Sequence, residues 1–429
     1  MADPAGKGRR LKPWMVRYAA AAAVVTVCCT ALVASTRTGQ AVSTTPAVAL
    51  PTISGLNAGP EAQLYKTLNE VGNKRLDLAV AEVDKIITAY PNFRLAHLIK
   101  GDLLLARARP LTTVGNAPGA PRDRLEDLRE EARARLARIQ NPRPVDMVPR
   151  YLVQMQPDQQ YALVVDTTKS TLYVFENRGG EARYVADYYV TIGKNGTDKA
   201  KEGDKKTPLG VYHVTGVMSR EKLASAYGRQ SGLYGVGALP LSYPNEWDRR
   251  QGRAGNGIWL HGVPFDTYSR PPRASDGCVA LTNEDFEIVA KYAKAGITPV
   301  IIAQGIDWVS PGAEKDVRAQ LAQSVEGWRR DWESRDTDKY LAHYAPEFTS
   351  GKMDLSAWSE QKRGVNAGKT WIRLKLDKVS YFLYPGREDL AVVTFDQDYA
   401  SSNLSNQMRK RQYWIRERGA WRILYEGAA

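Results

Sequence analysis

Hydrophobic and polar positions change their period along this chain, and the changes divide it. An uncharged run from Tyr18 to Ser35, rich in Ala and Val, follows directly on Lys7, Arg9, Arg10, Lys12 and Arg17. Positive charge ahead of a short apolar run predicts an export signal or a single N-terminal membrane anchor. The run is close to the shortest length that spans a bilayer and no small-x-small cleavage site stands out, so both forms stay open. Cys28 and Cys29 lie inside it, preceded by Val27 and Cys28 rather than by a small residue, and read as filler of an apolar helix. A Thr/Ala/Pro-rich tether follows, from about Thr36 to Pro60.

From Glu61 to Arg109 the apolar positions recur at helical spacing: Leu76, Ala79, Val80, Val83 and Ile86, a break at Pro91, then Leu95, Leu98, Leu103, Leu104 and Leu105. This stretch is similar to a single tetratricopeptide repeat, which cannot bury its own face and must pack on something else or on another copy. Asp123 to Ile139 alternates in charge and predicts a solvated spacer helix.

Near Tyr151 the pattern changes to apolar, β-rich runs that predict strands. Tyr161 to Asp166 and Thr171 to Glu176 predict a hairpin turning at Thr167 to Ser170, with a third strand from Tyr184 to Ile192. After a polar loop, Lys194 to Lys206, the sequence Thr207, Pro208, Leu209, Gly210 shapes a turn that launches a strand carrying His213, which reads mainly as structural. Thr215 to Asn256 breaks the strand pattern and predicts a lid or substrate wall. Then come a strand from Ile258 to His261, a helix opened by Thr282 and stopped by Gly296, and a closing strand from Thr298 to Ala303. Ser310 to Asp316 reads as linker and Val325 to Tyr344 as a helix with Trp328, Trp332, Tyr340 and Leu341 on its apolar face. Strands over Thr370 to Tyr384, Leu390 to Tyr399, Met408 to Arg418 and Ala420 to Glu426 complete an α+β layout. The expected organisation is a multidomain α+β chain: signal or anchor and linker (1–60), helical region (61–148), mainly β domain (149–305), linker (306–324) and C-terminal α+β domain (325–429).

A length of 429 residues accommodates two or three such domains. The net charge of +13 suits an anionic partner: nucleic acid, a membrane surface or a cell-wall polymer. Outside the N-terminus there is no dense Lys/Arg run with interleaved aromatics, no RNA-binding signature and no zinc spacing. Neither nucleic acid, metal nor cofactor is therefore expected.

Chemistry concentrates between Ile258 and Leu281. Cys278 is the only cysteine beyond the first thirty residues, and His261 is one of four histidines. An exported protein normally pairs or avoids cysteine, so a lone Cys278 is either a buried apolar side chain or a nucleophile. A thiol attacks as thiolate, and an imidazole nearby supplies the base. Cys278 is thus the candidate nucleophile and His261 the candidate base and later acid. The carbonyl of Gly262 is a candidate for fixing the imidazole tautomer. Gly277 permits a tight turn, and the amides of Gly277 and Cys278 are candidate donors to the oxyanion of an acyl-transfer intermediate.

The span from about Tyr161 to Gln304 resembles the catalytic domain of the L,D-transpeptidases, the YkuD family. Thr207, Pro208 and Gly210 ahead of a strand, His261 with Gly262, and Ser275, Gly277 and Cys278 carry the likeness. Leu241 to Asn245 with Trp247, Asp248, Arg249, Gly252 and Arg253 resembles its YafK-like subgroup. The resemblance implies an enzyme of the cell envelope whose cysteine is acylated by a peptidoglycan tetrapeptide stem at diaminopimelate, releasing D-alanine. It implies transfer to an amine of another stem or of a wall-attached protein; water as acceptor would make the chain a hydrolase, and a non-catalytic envelope scaffold is a third reading. Ser275, Asp276, Tyr243, Asn245, Arg249 and Arg253 are implied as substrate contacts, the arginines meeting stem carboxylates. Many members carry His or Arg where this chain has Asp276, and Arg where it has Ala280. Residues from about Val325 to Gly427 resemble NTF2-like domains, cones with a cavity that often dimerise.

Overall fold

The structure, a computed structural model, describes residues 59–429 apart from 112 and 118. The N-terminal apolar run and tether lie outside the described residues. Among the described residues no helix is long and apolar enough to cross a membrane. The described residues form two compact units, one holding residues 59–142 together with Asp266–Pro272, the other holding Arg143–Phe265 and Arg273–Ala429.

In the first unit, helices Pro60–Gly72, Leu76–Ala89 and Arg94–Ala106 bury Leu64, Ala79, Val83, Ile86, Leu95 and Leu103 in a common core. The repeat-like pair finds its missing neighbour in the same chain. Tyr268 enters that core, its ring 4.5 Å from Tyr90 and 4.8 Å from Phe93. Helix Arg122–Gln140 is not the solvated spacer its charge pattern predicts. Glu131, Arg135 and Ile139 are buried along one face, and Arg135 pairs with Glu131 at 3.0 Å and with Glu61. Burial pushes the Glu131 carboxyl up, against the pull of Arg135 and of the Ser269 hydroxyl donating to it at 2.6 Å.

The second unit is built on a five-stranded sheet in the order Glu181–Tyr189, Thr171–Arg178, Tyr161–Asp166, Pro299–Ala303, Gly210–His213. Side chains of a strand point alternately to its two faces, and here both faces are covered. Leu163, Val165, Leu172 and Val174 join one core with Leu239, Leu260, Val279 and Phe286. Ala162, Val164, Tyr173 and Phe175 join another with Trp328, Phe382, Val393 and Trp414 of the C-terminal domain. That is why these strands read as continuous apolar runs. Each aliphatic side chain so buried contributes about 1.5–3 kcal/mol.

The C-terminal domain is a seven-stranded sheet in the order Met353–Asp354, Tyr344–Ser350, Ala420–Ala428, Leu404–Glu417, Arg387–Ser401, Ile372–Tyr384, Leu152–Gln154. Two features differ from the expected boundaries. Leu152–Gln154 precedes the catalytic strands in sequence yet pairs with Phe382 and Tyr381, extending the C-terminal sheet. The expected linker is structured: Trp308–Val309 pairs with Val148–Pro149, and the helix begins at Lys315 and runs to Ser334, burying Leu321, Val325, Trp328 and Trp332. Helix Leu355–Ala367 and the strands from Tyr344 to Asp354 had no signal in the expected layout.

Candidate active site

A small sheet carries His261 and the strand that follows Cys278. Its strand order is Val279–Ala280, Trp259–His261, Gly237–Pro240, Met218–Ser219. The first two run parallel, with Leu260 opposite Val279 and His261 opposite Ala280. Neighbouring strands lie about 4.8 Å apart, and the register sets the His261 backbone opposite the residue two positions after Cys278. The His261 carbonyl also accepts from Leu281 N–H at 2.9 Å, which locks this register.

His261 is buried, and its Nδ1 lies 2.6 Å from the Gly262 carbonyl oxygen. A carbonyl only accepts, so Nδ1 carries the proton and Nε2 keeps its lone pair for general-base work. Gly262 is required here sterically: a Cβ would fall inside the radius of Asn283 Oδ1 and lie 3.2 Å from Tyr234 O. Asn283 Oδ1 in turn accepts from the amides of Val236 and Val263, both at 3.2 Å, pinning the chain that leaves His261. The Tyr234 ring stands edge-on to the imidazole at 5.2 Å and packs on Trp259 at 4.7 Å, with Tyr227 beyond it. The stretch expected as a lid or wall thus supplies an aromatic side to the site, through helix Arg220–Tyr227 and the 3₁₀ turn Gly228–Tyr234.

Cys278 is partly exposed, and its thiol donates to the Gly257 carbonyl at 3.2 Å. The loop before it is tightly tied. Gly277 has φ +124°, and a Cβ there would meet Lys206 O at 2.7 Å. Ser275 Oγ accepts from Gly277 N–H at 3.1 Å and donates to the Cys278 carbonyl at 2.6 Å.

The Gly277 amide is thus engaged by Ser275 Oγ, and the buried Ser275 hydroxyl is bonded on both sides. Tyr243 and Asn245 are likewise buried and bonded within the fold. The Tyr243 side chain is 6% exposed and its hydroxyl donates to Ala254 O at 3.0 Å. Asn245 is 2% exposed; it caps helix Glu246–Arg250, forms a capping box with Asp248, and donates to Val211 O at 3.0 Å.

Asp276 is exposed beside Cys278 and pairs with Lys205 at 3.3 Å. Arg249 is exposed on helix Glu246–Arg250, and Arg253 pairs with Asp198 at 2.6 Å and lies 3.9 Å from Asp248. His213 sits away from His261, packed toward Arg411, where burial and that guanidinium push its pKa down to about 4.

Tyr234 and Asn283 shape the site without a sequence signal for that role. Asn283 shows only a helix-start signal, Tyr234 only an aromatic in an irregular stretch. Among the described residues no cluster of His, Cys, Asp and Glu is arranged to hold a metal ion.

Residues 160–302 match the L,D-transpeptidase (YkuD) catalytic domain family, and residues 320–427 match the Cds6 C-terminal NTF2-like domain family. Among solved structures, Bd1075 of Bdellovibrio bacteriovorus is similar, with 28% identity, a TM-score of 0.56, and coverage of 66% of this chain and 98% of that one. So is Pgp2 of Campylobacter jejuni, described as a helical cell shape determining protein, with 25% identity, a TM-score of 0.55, and coverage of 65% and 96%. No curated protein matches the sequence. A helical N-terminal region, a YkuD-type L,D-transpeptidase catalytic domain and a Cds6-type NTF2-like domain together make up this multidomain α+β chain.

Proposed function

We propose that the protein is a cysteine acyltransferase of the cell envelope, an L,D-transpeptidase acting on peptidoglycan stems. The observation that carries this reading is the His261 tautomer set by Gly262, on a strand in parallel register with the one that follows Cys278. His261 Nε2 takes the thiol proton and Sγ attacks the stem carbonyl. The proton then passes to the leaving amine, D-alanine departs, and a thioester remains on Cys278. An incoming amine, from a second stem or a protein lysine, gives its proton to His261 and takes the acyl group. In this reading the Cys278 amide donates to the oxyanion, while that of Gly277 serves Ser275. Location in the envelope is supported by the charged-then-apolar N-terminus and by the likeness to a cell shape determining protein.

Water competes with the amine for the same thioester, so transfer and hydrolysis are separated by product. The full chain is incubated with defined tetrapeptide muropeptides while intact protein mass and products are followed. A covalent adduct absent in Cys278→Ala, with dimeric products, supports transfer. Shortened monomers alone reassign the protein as an L,D-carboxypeptidase. No adduct, together with a Cys278→Ala variant that still supports normal cell shape, leaves the scaffold reading.

A further inference from the structure

The Thr207 hydroxyl sits at the meeting point of three backbones and is wholly buried. It accepts from Gly193 N–H at 2.8 Å and donates its one proton to the Gly277 carbonyl at 2.9 Å. Both capacities are thereby used in a fixed direction. On one side it is anchored to strand Ile192–Gly193, which pairs in parallel with Arg273–Ser275, the strand entering the nucleophile loop. A further bond, Lys194 N–H to Ser275 O at 2.7 Å, fastens the same two segments.

The Gly277 carbonyl belongs to the peptide unit that joins Gly277 to the nucleophile. A trans peptide is planar, with its C=O and N–H pointing in opposite directions. Holding that oxygen on Thr207 therefore fixes the direction of the Cys278 N–H. The peptide unit on the other side of Cys278 is held through its own carbonyl by Ser275 Oγ at 2.6 Å. Each peptide flanking the thiol is thus oriented by one buried hydroxyl. Asp204 braces the turn that presents Thr207, accepting from the amides of Ala200, Lys201 and Lys206 at 2.8–3.1 Å.

We propose that Thr207 is a positioning residue for acyl transfer: its hydroxyl aims the Cys278 amide at the oxyanion by holding the Gly277–Cys278 peptide plane. This inference rests on the acyltransfer reading of the site but not on the identity of the acyl donor. It makes a separation that a general structural role would not. Attack on a carbonyl develops an oxyanion and needs the aimed amide, whereas alkylation of the thiol by iodoacetamide displaces iodide and develops none.

The test compares two rates in the full chain: acetylation of Cys278 by p-nitrophenyl acetate, which releases p-nitrophenolate, and alkylation by iodoacetamide across pH. Loss of one oxyanion donor costs about 100-fold or more, so Thr207→Val, which misdirects the donor without deleting it, is expected to slow acetylation by about 10-fold or more. Alkylation and its pH profile are expected to stay at the wild-type value, and Thr207→Ser to restore acetylation. If Thr207→Val does not fold, Thr207→Ala is measured against Thr207→Ser. Acetylation and alkylation falling together, acetylation unchanged, or a wild-type protein that is alkylated but never acetylated each overturn the inference. A wild-type protein acetylated by the ester yet inert toward muropeptides sinks the peptidoglycan reading alone.

Discussion

Glu246 and Arg411 form a salt bridge of 3.0 Å between the catalytic domain and the C-terminal sheet, with both side chains nearly sealed from solvent. Tyr413 donates a hydroxyl to the same carboxylate at 3.1 Å, and Trp247 stacks on the Tyr413 ring at 6.2 Å. Burial works against the Glu246 charge, but Arg411 and these bonds hold its pKa below the usual carboxylate value. Removing one partner of a buried pair strands the other, at a cost of about 3–5 kcal/mol. Arg411→Met is expected to lower unfolding stability by about 3 kcal/mol on that basis. The double variant Glu246→Gln/Arg411→Met is expected to lose less than the sum of the single losses, as measured by urea denaturation. Additive losses would show that the two side chains are energetically independent.

Asp248, two positions along the same helix, gives the joint a pH dependence. Its side chain is inaccessible to solvent, and burial raises its pKa to about 6, against the Asn245 amide and the charge of Arg253. A carboxyl raised in the folded state favours folding while protonated. Its contribution is complete below the unfolded pKa near 4 and is lost as pH rises through about 6. Two pKa units correspond to about 3 kcal/mol, the upper bound for this group. Asp248→Asn is expected to gain stability relative to the wild type between pH 4 and 7, read as a growing difference in melting temperature. A pH-independent difference would remove Asp248 as the cause.

Gly262 and Asn283 are coupled through space. An alanine at 262 collides with Asn283 Oδ1, and the collision displaces the carbonyl that sets the His261 tautomer. Gly262→Ala is expected to reduce acylation of Cys278 by about 100-fold, the range of a lost general base. Adding Asn283→Ala opens the space and is expected to recover part of that loss, although two amides lose their acceptor. Acylation rates of the three variants decide it; a double variant no faster than Gly262→Ala would disprove the coupling.

Tyr268 is the anchor of the 266–272 segment in the helical unit. Besides its ring contacts, its amide donates to Asn92 O at 3.4 Å, and its neighbour Ser269 bonds buried Glu131. Truncating a buried aromatic costs about 3–5 kcal/mol. Tyr268→Ala is expected to speed amide hydrogen exchange in helices Leu76–Ala89 and Arg94–Ala106 while leaving the five-stranded sheet protected. Equal loss of protection in both units would contradict a local anchor.

The parts of the chain legible beforehand were those with local signals. Apolar, β-rich runs announced the hairpin at Thr167 to Ser170 and the long C-terminal strands, and the rare pair His261 and Cys278 marked the candidate site. What stayed hidden depended on distant partners. Asn245 is polar, and no local pattern tells that its amide faces Val211 and not a ligand. The charges of Glu131 and Arg135 look solvated until Glu61, seventy positions earlier, is brought beside them. Leu152–Gln154 joins a sheet whose other strands come two hundred residues later. Helix Lys315–Ser334 shows its apolar spacing from Val317 onward, ahead of the expected start at Val325.

The placement of Asp266–Pro272 among the helices bears on how the chain is connected. The segment begins five positions after His261 and ends six before Cys278, so the chain between the two reacting groups is clamped midway by another folded body. The chain therefore leaves the second unit and returns to it between His261 and Cys278, so the connection between those two residues is shared by both units.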